Sequence, residues 1–154
     1  MLAVVQRVAH AEVRISEKSY AASIGTGLVI LLGVMEGDEE RDTVWMAKKC
    51  AQLRIFPDND GKMNRSVLDV EGEVLAISQF TLAGNARKGN RPSFVKAAEP
   101  NLAQRLYESF INELQKYESA EHNAITVRHG LFQQHMQVEL VNDGPVTIIL
   151  DSRS

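Results

Sequence analysis

The sequence predicts an α+β fold: mostly antiparallel β-sheets, arranged as a β-sandwich or barrel, with two main helices packed on one side. Strand-like stretches outnumber helical ones by about six or seven to two. The two helical stretches are separated by hairpin-like segments. No linker and no long-period repeat divides the chain, so its 154 residues read as a single domain, 1–154.

Taken in order, Ala3, Val5, Ala9, Ala11, Val13 and Ile15 recur at period two from Leu2 to Ile15, with Arg7 breaking the apolar pattern. That spacing is expected of a long strand with one half-buried face. SEKS marks a turn. After Gly25-Thr26-Gly27, the run LVILLGV is apolar on both faces and predicts a central strand. The two glycines resemble a phosphate loop, but Ile30 stands where a third Gly is needed, and the segment opens a strand rather than a helix. Asp38 is placed to cap a helix from about Glu39 to Leu53, in which Cys50 is a small core residue. PDNDG at 57–61 is a β-turn, because no Glu follows at the distance a calcium loop requires. VLAISQFTL, Val74 to Leu82, is the clearest strand of the middle region, and it runs into a basic, glycine-bearing loop, AGNARKGNRPSF. Pro100 opens a second helix whose Ala103, Leu106, Tyr107, Phe110, Leu114 and Tyr117 form one apolar stripe. A short strand near Ile125 to Val127 follows. The chain closes with MQVELV and VTIIL, two strands joined by NDGP.

Several function classes drop out. The formal charge of −3 does not suit a protein that coats long nucleic acid, DNA included, although it leaves room for contact with the tip of one. The longest apolar run, Leu28 to Val34, is far short of the roughly 20 residues that cross a bilayer. MLAVVQRVAH lacks the features of a signal peptide, and one cysteine permits no intrachain disulfide; both favour the cytoplasm. The sequon Asn64-Arg65-Ser66 would be idle there. His10, His122, His129 and His135 lack metal-binding spacing and read as surface residues, so neither metal nor cofactor is expected. Ser78 is not framed as Gly-x-Ser-x-Gly.

Two polar sets remain where apolar runs end: Ser78-Gln79-Phe80-Thr81, and Asn142-Asp143-Gly144-Pro145-Val146-Thr147. Each alone admits a plain reading, as a strand with hydroxyls facing water and as a hairpin turn. Together, SQFTL at 78–82, RPSF at 91–94 and NDGPVT at 142–147 resemble, in order, the signature segments of the D-aminoacyl-tRNA deacylases. MLAVVQRVAHAEV, LLGV at 31–34 and RIFPDNDGKMN at 54–64 are similar to that family too, so the likeness spans essentially the whole chain.

The resemblance implies a cytoplasmic homodimer with a β-rich fold that hydrolyses D-aminoacyl esters, and in bacterial members glycyl esters, of mischarged tRNA. It implies a cis bond between Gly144 and Pro145, which one subunit inserts into the active site of the other. Physical chemistry supports such a device. A cis bond is cheap only before proline, and glycine lets main chain approach a ligand closely. A wall of main-chain atoms can refuse one hand at Cα without choosing among side chains. By resemblance, the N–H groups around Phe80 and Thr81 stabilise the oxyanion, while Ser78 and Gln79 shape the pocket for the terminal adenosine. A nucleophilic Thr81 hydroxyl is the alternative, but no activating base is visible beside it. Asn142 and Thr147 are supporting residues. Arg87, Lys88 and Arg91 either hold phosphates of the tRNA 3′ end or form a solvated loop. Gln133, Gln134 and His135 depart from the family pattern. The rival function is a dimeric protein that binds an aminoacyl or nucleotide ligand without turnover.

Overall fold

The computed structural model describes residues 1–154. Ten main elements follow one another. They are β1 (Leu2–Ile15), β2 (Tyr20–Ile24), β3 (Gly27–Gly33), α1 (Glu40–Gln52), β4 (Phe56–Pro57), β5 (Met63–Arg65), β6 (Glu73–Ser78), α2 (Pro100–Leu114), β7 (Thr126–His129) and β8 (Gln137–Asp151). Single 3-10 turns lie at Ser16–Lys18 and Phe80–Ala83.

β1 organises the molecule. Its first half pairs with β3 and its second half with β2 on one side, while β8 runs along its other side, all antiparallel. The sheet continues from β3 to β6 to β7, and both of those pairings are parallel. Contacts of β2 with β6 and β7 curl it into a nearly closed barrel. Alternation along the strands divides the core. Ala3, Val5, Leu28, Ile30, Leu32, Val74 and Ala76 face α1 and α2 in one cluster; Val8, Ala11, Val13, Val29, Leu75 and Ile77 form a second. β3 is buried on both faces, as its unbroken apolar run requires.

Four local readings are corrected. Asp38 does not cap α1: Glu39 does, in a reciprocal capping box with Asp42. The buried Asp38 carboxylate instead accepts from the α-amino group of Met1, the Met35 N–H and Arg153. The strand through SQFTL ends at Ser78, because Phe80–Ala83 turns as 3-10 helix. Ala9 is exposed and Val8 buried in its place, because β1 is irregular on either side of Val8.

The largest correction concerns NDGP. It does not join two strands of a hairpin; β8 is one strand running through it. Gln6 pairs with Thr147 and Val8 with Asn142, so β8 uses five steps where β1 uses two, and three surplus residues are pushed out of the ladder. Glycine and proline do interrupt regular pairing here. They break it without reversing the chain.

Candidate active site

The end of β6 builds the site. Parallel pairing with β3 brings Ser78 level with Leu32, and the Gln79 N–H donates to the Leu32 carbonyl at 2.7 Å. The backbone then tightens into the 3-10 turn, in which Leu82 N–H bonds the Gln79 carbonyl and Gly84 N–H the Thr81 carbonyl. The first N–H groups of such a turn find no acceptor inside it. Here those groups belong to Phe80 and Thr81, both exposed. The Gln79 amide donates to Thr81 Oγ1, so that hydroxyl is held by an amide, not by a base.

The turn opens onto a cleft of about 1000 Å³. Ser78, Gln79 and Phe80 form one wall; Phe94 and Val95 form a second; Phe132 to Met136 form a third. The Phe80 and Phe94 rings meet edge to face, with centroids 5.2 Å apart. The loop that carries Phe94 is pinned by a two-way backbone pair between Asn85 and Ser93, both bonds 2.9 Å. Arg87, Lys88 and Arg91 lie exposed within that loop and do not line the cleft.

The second polar set sits elsewhere on the same chain. Gly144 and Pro145 are exposed, the bond between them is cis, and Gly144 has φ +119°, where a side chain would be strained. Neither residue lines the cleft of its own subunit. Beneath them lies Arg7, whose side chain is 11% exposed. Its Nη1 donates to the Ile55 carbonyl at 2.6 Å, and its Nε lies 3.0 Å from Asp143 Oδ2 as an ion pair too poorly aligned to be a hydrogen bond. Asn142 closes the base of the excursion. Its Nδ2 donates to the carbonyls of Arg7 and Val146, and its Oδ1 accepts from Thr147 Oγ1 and Gln6 Nε2.

Sequence reasoning missed Arg7 and Gln6 as partners of this segment. Arg7 did leave a signal, as the charge interrupting an apolar alternation, and a charge facing the sheet needs something to answer it. His10, His122 and His135 are exposed as expected, whereas His129 is half-buried, its Nδ1 2.9 Å from the Gly130 carbonyl. Cys50 is wholly buried, and burial pushes its thiol up to about 12.

Residues 4–151 match the model of the D-Tyr-tRNA(Tyr) deacylase family. The chain belongs to that family. A D-aminoacyl-tRNA deacylase of Geobacter sulfurreducens is 52% identical over all of this chain and 97% of its own length; one of Thermotoga petrophila is 51% identical over 99% and 97%. Among solved structures, the c-Myc DNA Unwinding Element Binding Protein superposes with TM-score 0.86 at 39% identity, covering 98% of each chain. A "probable eukaryotic D-amino acid tRNA deacylase" shares the fold, with TM-score 0.75 at 15% identity over 97% of each chain. Like its deacylase relatives, the chain is a hydrolase acting on the ester bond of D-aminoacyl-tRNA. No helix in it is long and apolar enough to cross a membrane.

Proposed function

We propose that this chain, acting as one deacylase domain over 1–154 in a cytoplasmic homodimer, clears D-amino acids and glycine from mischarged tRNA by main-chain chemistry alone. The observation that carries the reading is the 3-10 turn at the mouth of the cleft, with the Phe80 and Thr81 N–H groups unused inside the turn. Water attacks the ester carbonyl carbon, the two N–H groups stabilise the oxyanion, and the C–O bond to ribose breaks as the ribose oxygen takes a proton. The α-ammonium group and the neighbouring 2′-hydroxyl already activate this ester, so the site needs neither metal nor strong base. Ser78 and Gln79 shape the seat of the terminal adenosine.

Discrimination falls to Gly144 and Pro145 of the partner subunit, whose exposed main chain walls off the side of the cleft where an L side chain would point. A D side chain points away, and glycine meets no obstacle. Asn142, with all four hydrogen-bonding valences of its amide filled, and Thr147 support the wall. Arg87, Lys88 and Arg91 meet phosphates of the single-stranded 3′ end. The DNA element named for one structural relative has no part in this reading, since a formal charge of −3 offers no broad phosphate-binding face.

The test incubates purified protein with D-Tyr-tRNA and, separately, with L-Tyr-tRNA. Loss of the D ester alone is expected. Loss of neither would leave a binding protein, and loss of both would leave an esterase without a chirality filter.

A further inference from the structure

A second cleft, of about 410 Å³, lies beside the first and shares Phe132 and Gln134 with it as a common wall. It falls within the roughly 300–1,000 Å³ typical of sites that take small organic groups. One side is a polar stripe of α2 and the residue that ends it, in which Gln104, Glu108, Asn112 and the C-cap Gln115 recur at helical spacing next to the apolar stripe that anchors the helix. All four are exposed, and the Gln104 amide donates to Glu108 Oε1 at 2.9 Å. Tyr107 belongs to the floor. It is buried, with its hydroxyl spent on the Ala76 and Gly130 carbonyls, so it shapes the cleft from beneath and leaves ligand contact to its neighbours.

The chemistry of this lining is informative. Four amides, of Gln104, Asn112, Gln115 and Gln134, present donors and acceptors, a carboxylate accepts from amino groups, and the Phe132 ring offers a stacking face. Among lysines and arginines, Lys18 alone lines this cleft. Phosphate sites gather cations; sites that read unpaired bases gather amides and aromatic rings. The carboxylate of Glu108 suits an exocyclic amino group such as that of cytosine.

We propose that the second cleft binds the bases of the single-stranded nucleotides that precede the terminal adenosine, the chain passing over Phe132 and Gln134 from one cleft to the other. The proposal rests on the reading that the first cleft seats that adenosine. It makes α2 a reader of the tRNA end, in addition to its part in the core.

The experiment compares two substrates, D-Tyr-tRNA and the minimal ester D-tyrosyl-adenosine, for the native protein and for the double variant Gln104→Ala/Asn112→Ala. Both residues are exposed, so the fold is expected to survive, and thermal melting checks this. The variant should raise KM for D-Tyr-tRNA by about tenfold through lost hydrogen bonds, with kcat little changed, and leave KM for the minimal ester where it was. An unchanged KM on tRNA, or an equal rise on both substrates, overturns the proposal. A native protein that spares both D esters defeats the deacylase reading itself, a failure visible before any variant is made, and removes this proposal with it.

Discussion

At the scale of single residues, the site is notable for what its side chains are not asked to do. Thr81 has a hydroxyl at the turn, yet its neighbour is the Gln79 amide, which cannot take a proton from it. Thr81→Ala should therefore keep D-Tyr-tRNA turnover within about tenfold of the native rate, because the Thr81 N–H survives the change. Complete loss of turnover in a folded variant would instead make the hydroxyl a nucleophile. The sequence displayed Ser78 to Thr81 as a polar set, and three of its members, Ser78, Gln79 and Phe80, line the main cleft. It gave no sign that the strand stops at Ser78, because the 3-10 turn is imposed by packing on β3 and not by any breaker in SQFTL. Phe94 was visible only as part of a motif; its meeting with Phe80 depends on a loop whose path is fixed by long-range pairing.

At the scale of elements, strands and helices were legible wherever periodicity was strong. β3, α1 and α2 fall close to their expected bounds, and the apolar stripe of α2 is buried from Ala103 to Leu114. Pairing partners were not legible, and the parallel contacts of β6 could not be read from alternation. Gly27 shows what such a contact demands. A Cβ there would lie 1.8 Å from the Glu73 carbonyl oxygen on the paired strand, and backbone cannot swing aside as a side chain can. Gly27→Ala is expected to cost about 3 kcal/mol or more in urea unfolding; a loss under about 1 kcal/mol would show that the β3–β6 register is looser than described.

The turn between β4 and β5 and the one that follows each hold a carboxylate by hydrogen bonds. Hydrogen bonds from the Asn64 side chain and the Lys62 N–H hold Asp58 below its ordinary value of 3.8, and bonds from the Ser66 N–H and hydroxyl do the same for Asp69. A carboxyl whose folded pKa is depressed stabilises the fold above its unfolded pKa, and that contribution fades as pH falls through the folded one. Both contributions are therefore present at neutral pH and begin to fade as pH drops below about 3.8. Asp69→Asn should flatten the acid limb of a melting-temperature profile; a limb identical to that of the native protein would show that Asp69 takes no part in it.

At the scale of the whole molecule, β8 stands at an open border. It pairs with β1 alone, and Val138, Val141 and Ile149 are exposed along it, Ile149 to 75%. A long, apolar, unpaired edge is a liability that proteins usually cover, and the homodimer proposed above would cover it while delivering Gly144 and Pro145 to a neighbouring cleft. Ile149→Lys should shift sedimentation from dimer toward monomer and lower D-Tyr-tRNA turnover with it. A monomer that kept full activity would separate the two.

The surplus in β8 has a last implication, for how its length can change. Between the pairs Gln6 with Thr147 and His10 with Val141, β1 advances four residues and β8 six, the extra residue at Ala9 having offset one of the three pushed out at Asp143 to Pro145. Leu140 packs with the second cluster beside Ala11, whereas Val146, Ile148 and Leu150 pack with the first, so across the excursion β8 passes its apolar side chains from one face of the sheet to the other. Removing one residue from within either paired half would turn that half's apolar side chains away from their cluster, whereas the unpaired excursion carries no such register.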